Sequence, residues 1–123
     1  MIMEKEIEVL VVEPGKHPYT ATIENTLHAL QEAVGGYIEV IGLDEESLII
    51  GNDESKLMGL PGNRRFGNDI LAGTFLIVGS QGDEFASLSK ENQKNYASAF
   101  WEPEEITMEE VQDAMRCEVI FFE

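Results

Sequence analysis

The stretch EIEVLVV at residues 6–12 first alternates charged and apolar side chains and then becomes continuously apolar. Most of its apolar residues are β-branched, and this pattern is typical of a strand buried on both faces. A second stretch, TFLIV at residues 74–78, is equally apolar, and turn-forming residues follow both: Pro14-Gly15 after the first and Gly79 after the second. We therefore expect two strands, the first of them central in a sheet.

Around these two stretches, the spacing of apolar residues predicts helices and further short strands. The predicted elements are a helix from Thr20 or Thr22 with Ile23, Leu27, Leu30 and Val34 on one face and Gly35 at its end, strands at 37–41, 47–50 and 56–60, a loop at 61–69, a helix from the Ser89 cap to about Phe100, a helix at about 107–115, and a terminal strand at 117–122. Because helices separate groups of strands, we expect an α+β fold with a mixed or antiparallel sheet and two to three helices.

Length and composition predict one soluble globular domain over residues 1–123. The chain has 123 residues, of which 43% are hydrophobic, enough for one core and too few for two. Its apolar runs fall far short of the roughly 18 residues that cross a bilayer. The first residues lack the basic and apolar regions of a signal peptide, so we expect a cytoplasmic protein. The single cysteine, Cys117, excludes an internal disulfide.

The chain is strongly acidic, and the acidity is concentrated near the C-terminus. Twenty-four acidic residues against eight Lys and Arg give a formal net charge of −16. Such a charge disfavours direct binding to nucleic acid or to an anionic membrane. Residues 102–123 carry eight of the acids and one arginine. They form either a solvated face that aids solubility or a decoy that occupies a basic groove built for DNA.

Four collinear segments resemble a known family: VVEPGKHPY at 11–19, IENTLHALQEAVGGYIEV at 23–40, KLMGLPGNR at 56–64 and ILAGTFLIVG at 70–79. Together they are similar to the domain of unknown function 3846 family, small proteins of phages, plasmids and conjugative elements, mainly from Firmicutes. The resemblance covers about 11–102, and the acidic extension 103–123 has no counterpart in it. It implies a mobile-element accessory protein, and by analogy one that interferes with a host defence.

Two loops hold the most unusual polar residues, and together they would form a ligand site if the fold brings them into contact. Arginine offers a planar fork for phosphate, and glycine lets backbone N–H groups approach an anion, so the 59–65 loop resembles an anion clamp. The alternative is that both of its arginines pair with neighbouring carboxylates. The candidate ligand-binding residues are Glu13, Lys16, His17, Tyr19, Asn63, Arg64 and Arg65.

No catalytic motif is present in the sequence. The two histidines, His17 and His28, lack metal-ligand spacing, and His28 is expected on the surface. No serine lies in a G-x-S-x-G elbow, and Cys117 has apolar neighbours that favour an inert thiol. We therefore expect no catalytic residue, no metal, no cofactor and no enzymatic activity.

An aromatic concentration near residue 100 adds a second candidate site. Tyr96, Phe100 and Trp101 are either core residues or, in the case of Trp101, an anchor for a partner protein. The candidate partner-binding residues are Trp101, Glu104, Glu105, Glu109 and Glu110. The main hypothesis is an acidic inhibitor that binds a host protein. The alternative is a protein that sequesters a phosphate-bearing ligand such as a signalling nucleotide, and open strand edges would also suit a homodimer.

Overall fold

The computed structural model describes residues 5–120, with side chains as far as Met115. In this part of the chain the elements are β1 (Glu6–Val12), β2 (Tyr19–Glu24), α1 (Leu27–Val34), β3 (Ile38–Asp44), β4 (Ser47–Asn52), β5 (Gly62–Phe66), β6 (Asp69–Ala72), β7 (Phe75–Gln81), β8 (Glu84–Ala86), α2 (Lys90–Ala99) and α3 (Met108–Ile120). Strands β2, β1, β7, β4 and β3 form one sheet in that order, β8 pairs with β7, and β5 and β6 form a separate hairpin. These pairings are antiparallel, so the expected α+β class is confirmed.

The two apolar stretches form neighbouring central strands, β1 and β7, with Leu10 opposite Ile77. Alternate side chains of a strand point to opposite faces of the sheet. Val9 packs in the cluster beneath α1, whereas Val12 packs in the cluster beneath α2 and the β5–β6 hairpin. Both faces are therefore covered, and this is the reason that β1 can be apolar at nearly every position.

The first helix begins later than the sequence predicts. Thr20 and Thr22, its predicted N-caps, lie in β2, which pairs with β1 along its whole length. The N-cap is Thr26, whose hydroxyl accepts a hydrogen bond from the Ala29 N–H at 3.1 Å. The prediction was wrong because Ile23 also fits the alternation of a strand, and pairing with β1 satisfies the backbone of the whole segment.

The predicted end of this helix is confirmed. Gly35 has φ of 81°, in the left-handed region that favours glycine, and its N–H donates to the Gln31 carbonyl oxygen at 2.8 Å. Leu30 and Val34 of the predicted apolar face are buried, whereas Leu27 is exposed. The short α1 thus covers one face of the sheet with its second half.

Residues 53–72 differ most from the prediction. The predicted strand at 56–60 lies in a series of turns over residues 53–59, and the predicted loop at 61–69 contains β5, the hairpin turn and the first residue of β6. A two-residue turn, Gly67-Asn68, joins the two strands, and Gly67 has φ of 60°. Glycine and asparagine suit such a turn, so the hairpin signal was present in the sequence. The surrounding glycine, asparagine and arginine residues pointed to a loop instead.

In the last third of the chain, the predicted start of α2 is correct and the predicted terminal strand is not. Ser89 caps α2 as predicted and accepts a hydrogen bond from the Asn92 N–H at 3.1 Å. The predicted terminal strand at 117–122 is wrong for Cys117–Ile120, which continues α3, and its last two residues lie outside the described residues. A short apolar run occurs both at the end of a helix and in a strand, so its composition does not distinguish the two elements.

The acidic C-terminal segment packs on the hairpin. Val111 of α3, with Ile106 before it, joins Ile70 and Ala72 of β6 in a third apolar cluster. Gly62 of β5 lies so close that a Cβ there would be 2.6 Å from the Ile106 side chain. Among residues 5–120, no helix is long and apolar enough to cross a membrane.

Candidate functional site

The two loops that were predicted to hold a ligand lie next to each other in the structure. Arg64 of β5 reaches Lys16 in the 13–18 connection and also reaches the end of α2 at Phe100. Asn63, beside it, donates from Nδ2 to the Val12 and Gly73 carbonyl oxygens, at 2.8 and 2.9 Å. The β5 strand is therefore the point at which these otherwise distant segments meet, and we call this region the Arg64 junction.

The guanidinium of Arg64 is fully buried, and its hydrogen bonds all lie inside the protein. It donates to the Phe100 carbonyl oxygen from Nε (3.1 Å) and Nη2 (2.9 Å), and to the Lys16 carbonyl oxygen from Nη2 (2.7 Å). Nη1 donates to the carbonyl and the side-chain oxygen of Asn63, at 3.1 and 2.7 Å. An arginine side chain has five N–H groups, so these five bonds occupy all of them.

This geometry makes Arg64 an internal cross-link. Burial lowers the pKa of Arg64, and the charge of Glu104 opposes that shift. Arginine remains protonated in proteins, so the carbonyl dipoles around it compensate a buried positive charge. A phosphate clamp needs N–H groups that face an open site. Arg64 instead fixes the positions of the 13–18 connection and of the end of α2.

Arg65, the next residue, pairs with neighbouring carboxylates, which was the alternative expectation for both arginines. Its side chain is half-exposed, with Nη1 at 3.0 Å from Glu104 Oε1 and Nη2 at 2.6 Å from Glu110 Oε2. Its backbone N–H also donates to Glu104. The hydrogen bond from Arg65 is the largest influence on Glu110 and lowers the pKa of that carboxyl. Two of the four candidate partner-binding glutamates are thus tied to the hairpin.

His17 and Trp101 form an exposed aromatic pair at the edge of the junction. Their ring centroids are 4.2 Å apart and the rings are within 10° of parallel. Nδ1 of His17 donates to the Trp101 carbonyl oxygen at 2.6 Å. The indole is 46% exposed, so Trp101 is held in one orientation while much of its surface faces solvent. Phe100, by contrast, packs against Phe75 in the core.

The remaining residues of the first predicted loop bond to one another. Tyr19 donates its hydroxyl to Glu13 Oε2 at 2.7 Å, and Lys16 Nζ lies 3.1 Å from Glu13 Oε1. The bond from Tyr19 is the main cause that lowers the pKa of Glu13. His28 is exposed, as predicted, and pairs with Glu32 one turn along α1.

Three carboxylates that follow Trp101 in sequence are exposed. Glu102, Glu105 and Glu109 are exposed. Within the described part of the chain, no hydrogen bond or ion pair holds their side chains. The acidic segment therefore divides into glutamates that bind Arg65 and glutamates that face solvent. We call Glu102, Glu105 and Glu109 the outward carboxylates.

Nothing in the sequence indicated the cleft that β6 of the hairpin helps to line. The cleft has a volume of about 280 Å³ and is lined by Glu39, Ile41, residues 51–57, residues 69–72, Phe75 and Met115. Since these residues come from separate segments of the chain, only the fold brings them together. Among the described residues, no group of three His, Cys, Asp or Glu side chains could hold a metal ion.

Comparison with known proteins identifies a family. The family described as Domain of unknown function (DUF3846) matches residues 7–101, and this chain belongs to it. The match includes the Arg64 junction and ends at Trp101, so the outward carboxylates and α3 lie beyond it. Neither the curated proteins nor the solved structures contain a match to this chain.

Proposed function

We propose that this chain is a non-enzymatic accessory protein of a mobile genetic element that acts by binding. Its partner would be a host defence or nucleic-acid-handling protein in the cytoplasm, inhibited when the acidic surface occupies its basic groove. The observation that carries this proposal is that the exposed ring of Trp101 is followed in sequence by the exposed outward carboxylates, in a protein with net charge −16.

Electrostatics favours a basic partner. A large negative charge speeds association with a positive surface and slows association with DNA, RNA or another acidic protein. The three outward carboxylates have no internal cation to neutralise them within the described residues, whereas Arg65 partly neutralises Glu104 and Glu110. The proposed binding surface is therefore centred on Glu102, Glu105 and Glu109.

Trp101 supplies the anchor of this surface. Tryptophan is among the residues that contribute most to binding energy at protein interfaces. The stacked His17 ring and the hydrogen bond to the Trp101 carbonyl oxygen already restrict the residue. Binding of a partner would therefore cost less side-chain entropy at Trp101, and preorganisation of this kind increases affinity.

The mobile-element setting follows from the family resemblance alone. The family description names no activity. A family resemblance sets an expectation about context, and function has to be argued from the site. Interference with a host defence is therefore part of the proposal.

Sequestration of a phosphate-bearing ligand by the 13–19 and 59–65 loops is the weaker candidate. The bonds of Arg64 are all directed to protein atoms, which weakens the case for a clamp. A thermal-shift screen against mono-, di- and cyclic nucleotides tests it directly, because a ligand at 100 times its Kd adds about 2.7 kcal/mol of stability. An upward shift of that size would favour sequestration over the protein-binding function.

The main proposal is tested by capture of heparin-binding proteins from a bacterial lysate on the immobilised chain. The test variant is Glu102→Lys with Glu105→Lys and Glu109→Lys. Its charge-matched control is Glu24→Lys with Glu45→Lys and Asp83→Lys, three exposed positions outside the acidic segment. We expect the wild type and the control to retain a protein that salt or added duplex DNA releases.

The expected loss in the test variant is about tenfold in affinity or more, while the control changes far less. Equal losses in the two variants would mean that only net charge matters, and the proposed surface would then be wrong. Retention of the same proteins by the wild type and the test variant, at the same salt concentration, would reject the proposal.

A further inference from the structure

The cleft that β6 helps to line lies outside the Arg64 junction and outside the proposed acidic surface. Its floor is the sheet face that carries Ile41 and Gly51, and the turns at 53–57, β6 and Met115 enclose it. We propose that this cleft binds the side chain of a lysine or arginine of the partner protein. The inference rests on the proposed function, because it names the chemistry by which a basic partner would be held.

The size and the apolar floor suit one long side chain. The volume of about 280 Å³ lies just below the range of about 300–1,000 Å³ that is usual for small-molecule pockets. Phe75 and Leu71 in the lining are buried core residues, whereas Leu57 at the rim is 74% exposed. Lysine and arginine place their alkyl stems along apolar surface of this kind and keep the charged group near polar atoms.

The charge around the cleft selects a cation. Four carboxylates, those of Glu39, Asp53, Glu54 and Asp69, border it against the single ammonium of Lys56 among the described lining side chains. Lys56 Nζ lies 2.8 Å from Asp69 Oδ1, and Glu39 also has an interaction within the protein. Asp53 and Glu54 are exposed. A phosphate would meet net repulsion here, and an ammonium or guanidinium group would meet net attraction.

Gly51 gives a way to fill the cleft without disturbing the fold. It lies in β4 opposite Glu39, and a Cβ added there would meet only the Phe75 Cβ, at 4.0 Å, which is an ordinary contact. Its φ is not positive, so a larger residue brings no backbone strain. Gly51→Leu therefore occupies the floor. The matched control is Gly42→Leu, because a Cβ at Gly42 of β3 meets nothing within 4 Å.

The experiment is an amide NMR titration of the full chain with N-acetyl-arginine methylamide. N-acetyl-norleucine methylamide is the parallel probe, since it has an alkyl stem without the charge. We expect the arginine probe to shift the signals of residues 51–57 and 69–72, and the norleucine probe to shift them less. Gly51→Leu should weaken arginine binding by about tenfold or more, whereas Gly42→Leu should bind as the wild type does.

A second variant tests the charge separately from the shape. Asp53→Asn with Glu54→Gln changes two exposed side chains and leaves the floor intact. It should weaken binding of the arginine probe and leave binding of the norleucine probe unchanged. If the arginine probe shifts no signal of the cleft, or if both the Gly51→Leu variant and this charge variant bind it as tightly as the wild type, the inference is wrong.

Failure of the cleft and failure of the proposed function give different results. The probe titration requires no partner protein and none of the outward carboxylates. If the arginine probe does not bind the cleft but the protein still captures a basic protein in a salt-sensitive way, only this inference is rejected. If the arginine probe binds the cleft and the variant of the outward carboxylates captures the same proteins as the wild type, the proposed surface is rejected. The inference about the cleft is then still supported.

Discussion

Arg64 and Arg65 are neighbours on β5, yet their side chains lie in opposite environments. Arg64 is fully buried and donates to carbonyl and amide oxygens, whereas Arg65 is half-exposed and pairs with two glutamates. Successive residues of a strand point to opposite sides, so adjacent identical residues acquire different roles. Arg64 joins parts of the family domain, and Arg65 attaches the C-terminal segment beyond it.

The largest effect should come from Arg64→Ala. The substitution removes a fully buried side chain and leaves the carbonyl oxygens of Lys16 and Phe100 without their donor, and we expect it to lower the free energy of unfolding by about 3 kcal/mol or more. Urea denaturation measures the change. Arg64→Lys, which keeps the charge and some of the donors, should lose less. A loss below about 1 kcal/mol in Arg64→Ala would contradict the role as a cross-link.

The loss of stability expected for Arg64→Ala also determines which variant can test ligand binding. A protein destabilised by Arg64→Ala would lose any ligand site with its fold, so that variant does not identify a phosphate contact. Arg65→Ala, at an exposed position, is the better variant for that purpose.

A smaller effect is expected where the C-terminal segment packs on β5. Gly62→Ala places a methyl group 2.6 Å from Cγ2 and 2.8 Å from Cβ of Ile106, so the segment must move. Overpacking of this kind costs about 1–3 kcal/mol. Thermal denaturation with Gly42→Ala as the control measures it, and hydrogen exchange of α3 should show local loosening. Unchanged exchange in α3 would mean that the segment adapts without cost.

Removal of the aromatic pair should change stability less and binding more. Trp101→Ala loses the stacking on His17, for which about 0.5–1.5 kcal/mol is expected. His17→Ala removes the same stacking and keeps the indole, so it serves as the matched control. Denaturation should give a loss for His17→Ala at least as large as for Trp101→Ala, because His17→Ala also removes the hydrogen bond to the Trp101 carbonyl oxygen. Partner capture should nevertheless fall much further for Trp101→Ala. Equal capture by the two variants would argue against the indole as an anchor.

The smallest effect, and one that depends on pH, should come from Arg65→Gln. Arg65 lowers the pKa of Glu110, so the pair stabilises the fold when pH exceeds the ordinary glutamate pKa of 4.5. This advantage disappears as pH falls through the lowered pKa of the folded protein. Denaturation of wild type and variant from pH 7 to pH 3 should show a small difference that vanishes at acid pH. A difference that grows as pH falls would have the wrong sign.

Local patterns were sufficient for part of this fold. The β-branched run of β1 predicts a buried strand because few other structures can hide apolar side chains on both faces. Gly35 and Ser89 were identified correctly as helix ends, since a left-handed turn and an N-cap each depend on one residue's own chemistry. Predictions of this type need no knowledge of the rest of the chain.

Predictions that depend on distant contacts were less successful. A helix that begins at Thr20 or Thr22 fits the spacing of Ile23 and Leu27, but β1 was available as a pairing partner for this segment. Residues 62–66 have loop-like composition, and they form a strand because Asn63 and Arg64 find acceptors in β1 and at the C-cap of α2. Such acceptors lie tens of residues away in sequence, so no local window contains them.

For this protein, the amino-acid sequence by itself determined the α+β class, the central strands, the strong acidity and the family, because these depend on composition, on short-range periodicity and on the order of motifs. Only the tertiary structure decided that Arg64 lies inside and Arg65 outside, that Glu102, Glu105 and Glu109 face solvent, and that Met115 and residues of distant segments line one cleft. The physical reason is that a charged side chain is stabilised by whichever partners the folded chain brings within hydrogen-bonding distance, and those partners come from other segments.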